Sequence, residues 1–388
     1  MIAQSLKSGW KMVKFGEVVK NANLVERDPE ANDIERIVGL EHIDPENLHI
    51  LRWNSVADGT SFSRKFVPGQ TLFGKRRAYQ RKVAYAEFEG ICSGDILTFE
   101  PKNRKVLLPE LLPFICQSDA FFDHALDTSA GSLSPRTSWT ALKDFEFPLP
   151  PLDEQKRIAE ILWATSLEQE AKNIALEANR SFLLCKLSEI SRFLNPKDRT
   201  YSWEESKLGT IFKHKKDKGY SDLPVLSVTI EGKIVPRNSL NRNVEDRTGP
   251  EKCFRVDPGD IAYNTMRMWQ GACALSTDSG IISPAYTVIS IKSKEQLPEF
   301  WIRVFRTPWM KKTFERFSTG VASDRWRLYY RDFSAIKIKR PPLTYQQNVL
   351  DELFAAELAV KSAEVSVQNS LGLQKALIQK YLTGATIV

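Results

Sequence analysis

Laid over itself at an offset of about 190 residues, the 388-residue chain matches in the same order along its length. Trp10 to Phe15-Gly16 answers Trp203 to Leu208-Gly209, and the turn Pro68-Gly69 answers Pro258-Gly259. Arg77 answers Arg267, Gly90-Ile91-Cys92-Ser93 answers Gly280-Ile281-Ile282-Ser283, and Leu108-Pro109-Glu110 answers Leu297-Pro298-Glu299. Gly131 answers Gly320, Arg136 answers Arg325, and Asp144-Phe145 answers Asp332-Phe333. PPLDEQKRIAEIL (150–162) answers PPLTYQQNVLDEL (341–353). Each match is weak alone, but chance does not keep so many in register. A tandem repeat of this size commits the chain to two like-folded halves, and the length suits two or three domains.

Each half reads as a globular part followed by one long helix. In the globular part, ILTFE (96–100) and YTVISI (286–291) read as strands, with Pro-Gly turns between runs. PELLPFICQSDAFFDHAL (109–126) and PEFWIRVFRTPWMKKTFERF (298–317) read as helices opening on proline, each with a later proline to kink or break it. The long helices open at the double prolines. In the second, Val349, Leu353, Ala356, Val360, Ala363, Val367, Ser370, Gln374, Leu377 and Tyr381 alternate spacings of four and three, a heptad seam. In the first, Ala164, Ala171, Ala175 and Ala178 form a small-residue stripe that would let another helix approach closely. Helices of about forty residues run roughly 60 Å, too long to serve one small domain.

Composition narrows the setting. Apolar residues at 42% and aromatics at 10% support packed cores. No apolar run is long enough to span a bilayer, and the opening MIAQSLKSGWKMVKFG lacks the apolar core of a secretory signal. Five cysteines without a CxxC pair read as reduced thiols, so a cytoplasmic protein is expected. The net charge of +7 is modest but concentrated. Residues 75–82 (KRRAYQRK) hold five basic residues and no acid, and residues 300–340 hold eleven against Glu315, Asp324 and Asp332. Basic segments with interleaved aromatics suggest a polyanion, nucleic acid above all, with a solvated basic surface as the plainer alternative.

Catalytic patterns come close and fail. Gly69 to Gly74-Lys75-Arg76 nearly spells a P-loop, but Arg76 stands where a magnesium-binding hydroxyl belongs and no helical pattern follows directly. Asp95, Glu100 and Lys102 resemble a metal-dependent nuclease set, although the second copy offers Ala285 and Ser290 in place of the acids. His42 and His49 lie seven apart without a metal-ligand spacing. There is no Gly-x-Ser-x-Gly elbow and no Asn-Pro-Pro-aromatic loop. No catalytic residue and no metal site are expected in this chain.

A duplicated unit, each half a variable globular domain followed by a helix opening PPL-x-x-Q, resembles the specificity subunit of a type I restriction-modification enzyme. PPLDEQKRIAEIL, PPLTYQQNVLDEL and the tail LQKALIQKYLTGATIV carry the resemblance, which departs where Tyr345 stands in the place of Glu154. It implies an α+β chain of two tandem target-recognition domains, separated and joined by two long antiparallel coiled-coil helices in a pseudo-twofold repeat. The boundaries are 1–149 and 196–340 for the domains, 150–195 for the first helix, and 341–388 for the second helix and tail. Each domain would read one half of a bipartite, asymmetric site in double-stranded DNA. The helices would dock two methyltransferase subunits, and restriction subunits would join through the complex. Those partners, not this chain, would hold S-adenosylmethionine, ATP and magnesium. A stand-alone DNA-binding or coiled-coil adaptor protein, and a metal-dependent nuclease, are the competing classes.

The repeat also nominates DNA contacts. Lys75, Arg76, Arg77, Tyr79, Gln80, Arg81 and Lys82 follow the Pro-Gly turn in the first half, and Arg267, Met268, Trp269 and Gln270 follow it in the second. Arginine and glutamine can pair with guanine and adenine edges, while lysine mainly meets phosphate. The polar loops 129–136, with Ser134 and Arg136, and 318–327, with Ser323, Arg325 and Arg327, form the second cluster. Trp269 and Trp326 suit either a core or a DNA wedge.

Overall fold

The run Ile96–Pro101, β-branched and aromatic, suits a strand buried on both faces, and it forms an inner strand of a four-stranded antiparallel sheet. Its neighbours are Val19–Asn21 and Thr71–Gly74, and Val83–Tyr85 pairs beyond the latter. The computed structural model describes residues 6–190, 192–194, 202–229, 232–239, 249–320 and 326–382. It forms two units, Met1–Leu176 with Ala363–Val388 and Glu177–Ser362. The second unit repeats the sheet in the same order with Phe212–Lys215, Tyr286–Ile291, Ile261–Asn264 and Cys273–Leu275.

A second sheet is repeated too. Gly90–Cys92 lies between antiparallel Arg64–Phe66 and parallel Arg36–Val38. In the second unit Gly280–Ile282 lies between antiparallel Phe254–Val256 and parallel Val225–Val228. A two-stranded ribbon ties the start of each domain to its end: Lys11–Lys14 pairs Glu146–Leu149, and Glu205–Lys207 pairs Lys337–Lys339. Each unit packs aromatic rings beside its first sheet. Phe15 meets Phe99 at 5.3 Å and Phe121 at 4.9 Å in one, and Phe212 meets Phe305 at 5.4 Å in the other.

The proline-opened helices differ from each other. Pro298–Phe305 opens on its proline, and the chain breaks before Pro308, where Thr307 caps Pro308–Phe317 by accepting from the Met310 N–H. In the first unit the helix opens at Leu112, not Pro109, and the break falls at Ser118, not at Pro113. Pro113 sits in the first turn, where its missing N–H costs nothing, while the Ser118 hydroxyl caps the next helix, Asp119–Asp127.

The turn Pro258-Gly259 reverses the chain with Gly259 at φ +87°, as Gly69 does at the matched turn. Asp257 and Asp260 flank it, and Lys215 Nζ donates to both, at 2.6 and 2.7 Å. Against the burial that would raise it, hydrogen bonds from Lys215, Arg255 and Ser279 hold the Asp257 carboxyl down to about 2. A depressed carboxylate adds stability that is present above its unfolded pKa and lost as pH falls through the folded one. The second unit should therefore lose on the order of 1–2 kcal/mol between pH 4 and pH 2 from this group. Asp257→Asn should lower the melting temperature at pH 7 and leave it unchanged near pH 2; an equal loss at both would assign the effect to packing.

The long helices span Leu152–Glu189 and Leu343–Leu382. Each starts against its own domain through one buried glutamine. Gln155 donates to the carbonyls of Val106 (2.8 Å) and Pro150 (2.9 Å) and accepts from the Leu108 N–H (2.9 Å). Gln346 donates to Glu295 (3.1 Å) and Pro341 (3.0 Å) and accepts from Leu297 (2.8 Å). The departure at Tyr345 keeps its partner: Trp10 Nε1 donates to Glu154 (2.8 Å), and the matched Trp203 meets the Tyr345 ring edge-on at 4.6 Å.

The helices run antiparallel within each unit. In the first, Arg157 lies over the Tyr381 ring, and Ile158 and Leu162 share a core with Leu377 and Ile378. In the second, Lys186 pairs with Glu352 at 2.8 Å, and Leu183 and Leu187 share a core with Val349 and Leu353. The heptad positions from Val349 to Tyr381 are buried or half-buried, as a seam requires. Ala164, Ala171, Ala175 and Ala178 are instead exposed, because the first helix buries Ile158, Ala159, Leu162, Ser166, Gln169 and Leu176. No helix among the described residues is long and apolar enough to cross a membrane, and their five cysteines form no disulfide.

Candidate nucleic-acid interface

The strand Thr71–Gly74 leads directly into the basic segment 75–82, so the end of a buried strand aims it. Backbone bonds hold its base: the Lys75 N–H donates to Asp95 (2.9 Å), and Lys75 accepts from Thr137 (3.0 Å). The second predicted loop joins it there. Ala130 and Arg136 bridge each other at 3.0 and 2.9 Å, Arg76 bridges Arg136, and the Arg77 N–H donates to Pro135 at 2.7 Å. Two segments more than fifty residues apart in sequence thus form one surface.

The second unit repeats the base of this frame, although the Arg267 N–H donates to Asn264 (3.1 Å) and not across to the second loop. The Thr265 N–H donates to Ala285 (3.2 Å), Thr265 accepts from Leu328 (2.8 Å), and Thr319 and Arg327 bridge at 3.0 and 2.9 Å. The bridge shows that Arg327, not Arg325, occupies the place of Arg136, because the second loop is two residues longer. Ser323 and Arg325 lie outside the described residues. Arg77 and Arg267 each precede a short 3-10 turn, Ala78–Gln80 and Met268–Gln270. Both turns bury their first side chain, so Met268, at 0% exposure, is a core residue and no DNA contact.

The side chains in the frame differ. In the first unit Ser134 Oγ accepts from Arg76 Nε (2.9 Å) and Arg77 Nε (3.2 Å), and Arg136 Nε donates to Asp95 (2.9 Å). The Arg136 hydrogen bond, aided by the charges of Lys75 and Arg76, holds the Asp95 carboxyl below its ordinary range. Burial, and then the charge of Arg64, lowers Lys75. Tyr79 is exposed and Gln80 half-exposed. Arg81 and Lys82 prove to be structural ties. Arg81 takes a left-handed conformation (φ 53°) and binds the Gln117 carbonyl and Asp119, each at 2.8 Å, while Lys82 Nζ donates to the Leu40 carbonyl. Gly271 fills the left-handed position of Arg81 in the second unit.

In the second unit Arg267, Gln270 and Arg327 are exposed. Trp269 and Trp326 are half-exposed and meet edge to face at 6.0 Å, so neither belongs to a sealed core. Tyr329 is exposed beside them in sequence.

The side chains of the nuclease-like pattern are each engaged elsewhere. Asp95 lies in the turn before the strand Ile96–Pro101, and Glu100 lies near that strand's far end. Asp95 is engaged by Arg136, Glu100 by Lys20 (2.8 Å) and Gln70 (2.7 Å), and Lys102 by the Gly16 carbonyl (2.5 Å). His42 accepts from the Gly39 N–H (2.9 Å), and His49 sits between Glu87 (2.9 Å) and Glu170 (3.6 Å). No group of three or more His, Cys, Asp or Glu side chains suited to a metal occurs among the described residues. Gly74-Lys75 is followed by the 3-10 turn and not by a helix, so no phosphate cradle forms.

Each unit is thus an α/β domain with a two-segment surface and with antiparallel helical segments packed against it. Residues 7–178 match the family of the type I restriction modification DNA specificity domain. It is 26% identical over 189 residues to the type I restriction enzyme EcoDI specificity subunit of Escherichia coli, covering 45% of this chain and 40% of that relative. The fold is similar to that of the HsdS subunit from Thermoanaerobacter tengcongensis, with TM-score 0.52, 19% identity and 99% of each chain covered. It is also similar to the type I restriction-modification S subunit from M. genitalium, with TM-score 0.56, 13% identity and 98% of each chain covered. A chain from a structure of type I R-M complex assembly and conformational transition gives TM-score 0.61 at 19% identity, over 97% of this chain and 98% of that one.

Proposed function

We propose that the chain is the DNA-specificity subunit of a type I restriction-modification complex, with domains 1–149 and 196–340 each reading one half of a bipartite, asymmetric site. The observation that carries this reading is the repeated frame with unlike side chains: Lys75, Arg76, Tyr79 and Arg81 stand where the second unit has Thr265, Met266, Trp269 and Gly271. One scaffold bearing two different faces suits two different half-sites. Arg77, Gln80 and Arg136, with Arg267, Gln270 and Arg327, are the matched candidates for base and phosphate contact.

The chain performs no chemistry in this reading. Methyltransferase subunits, two per chain, carry S-adenosylmethionine, and restriction subunits bring the ATP- and magnesium-dependent cleavage, all within the cytoplasm. Support for two docking sites comes from exposed apolar residues at matched positions of the long helices: Leu167 and Leu358, Ile174 and Val365, Phe182 and Leu373. The exposed alanines flank this stripe on the first helix. Exposed apolar stripes on helices mark partner surfaces.

Methylation mapping in cells expressing the chain with modification subunits tests the proposal. Arg77→Ala should weaken or relax recognition of one half-site by about 1–3 kcal/mol, and Arg267→Ala should affect the other half alone. Equal losses on every sequence would make both arginines phosphate contacts or structural residues. Absence of any bipartite methylated site would refute the function itself.

A further inference from the structure

Leu133 is the most exposed large apolar side chain among the described residues, at 92%. It stands in the loop 131–135, between Gly131, at φ +108°, and Ser134-Pro135. A lone exposed leucine on a loose surface is ordinary. This one is held. The Ala130–Arg136 bridge closes the loop, Arg76 and Arg77 of the neighbouring segment bind Ser134 Oγ, and the Arg77 N–H binds the Pro135 carbonyl. Its surroundings are cationic: Arg76, Arg77 and Arg136 hold the loop, Lys75 adjoins them in sequence, and segments 75–82 and 129–136 contain no acidic residue, with Asp95 the carboxylate drawn in against Arg136. An apolar tip braced within an arginine collar has the form needed to press into stacked bases while the flanking cations hold phosphate.

We propose that Leu133 inserts between base pairs of the half-site read by the first domain, unstacking one step and kinking the duplex there. The inference rests on the DNA-reading function proposed above and deepens it. Apolar wedges next to cations offset the unstacking they cause by burying the wedge and by gaining contact with the bent duplex. Such a wedge also selects sequence without a hydrogen bond, because pyrimidine–purine steps open most easily. The second loop, 320–327, contains no leucine, so the unstacking that depends on Leu133 should be confined to one half-site, and the other provides an internal control.

The test uses the full chain assembled with its modification subunits and a duplex carrying the site found by methylation mapping. The fluorescent base 2-aminopurine is placed at each position of both half-sites in turn, omitting the adenines that are methylated. Wild type should raise the fluorescence at one step of the first half-site. Leu133→Ala should abolish that rise while weakening binding by about tenfold or less, since lost contact and avoided unstacking oppose each other. Leu133→Met should restore it. A rise that persists in Leu133→Ala overturns the wedge, as does the absence of any rise on a site that wild type still binds. If replacing thymine by deoxyuridine reproduces the Leu133→Ala loss, the leucine touches a thymine methyl and the wedge is likewise overturned. A wild-type complex with no site preference would instead overturn the recognition function on which the wedge depends.

Discussion

Gln155→Leu should destabilise the first unit by about 3–6 kcal/mol, a large part of the 5–15 kcal/mol that holds an ordinary domain. The side chain satisfies three backbone groups at once, and leucine leaves the Leu108 N–H and the Val106 and Pro150 carbonyls facing a hydrocarbon. Each orphaned buried group costs about 1–3 kcal/mol. Gln155→Glu should be no milder, because a carboxylate accepts from Leu108 but cannot donate to either carbonyl. Gln346→Leu should act in the same way on the second unit. Asp153→Asn, exposed in the same first turn, should change stability by less than about 0.5 kcal/mol. Hydrogen exchange of the full chain reads the two units separately, and a loss below about 1 kcal/mol for Gln155→Leu would show that water or rearranged backbone replaces the glutamine.

These glutamines show where a sequence is readable and where it is not. Their spacing after the double proline is plain in both halves, but their role is not, since Val106 and Glu295 lie about fifty residues away. The heptad seam was legible because periodicity depends only on a helix and its neighbour. The break at Pro308 was legible because proline cannot donate, whereas the break at Ser118 required knowing that a serine had become a cap. Met268 looked like a candidate contact because it follows the Pro-Gly turn in the same run as Arg267 and Gln270; a single 3-10 turn points it inward with its counterpart Ala78. Arg81 and Lys82 joined the list through their charge and their place in the run after the Pro-Gly turn, and neither reveals that Gln117 and Leu40 have carbonyls within their reach. Arg136 was matched to Arg325 because a two-residue insertion is invisible without the bridge that sets the register. The alanine stripe was read as the face another helix approaches, and the structure instead turns it to solvent, because the larger side chains Ile158, Leu162 and Leu176 form the packed face.

That outward face leads to the second large effect. Leu167→Arg should remove one methyltransferase copy from the complex, Leu358→Arg the other, and the double variant both. The two leucines occupy matched places in the repeat and are about equally exposed, at 56% and 57%, so neither substitution disturbs a core and the melting temperature should hold. Burying a leucine against a partner is worth about 1.5–3 kcal/mol, and an unpaired guanidinium in the same apolar contact adds a desolvation penalty of several more. At about 1.4 kcal/mol per tenfold, the affinity at one site should fall by a factor of a thousand or more. Ile174 and Val365 lie one heptad further along the same faces and should give the same pattern when changed to arginine. Native mass measurement of the co-purified complex reads the result as two copies for wild type, one for either single variant and none for the double. Loss of both copies from one single variant would mean that the partners assemble on each other first. Retention of both copies in the double variant would mean that the stripe is not where the methyltransferase docks.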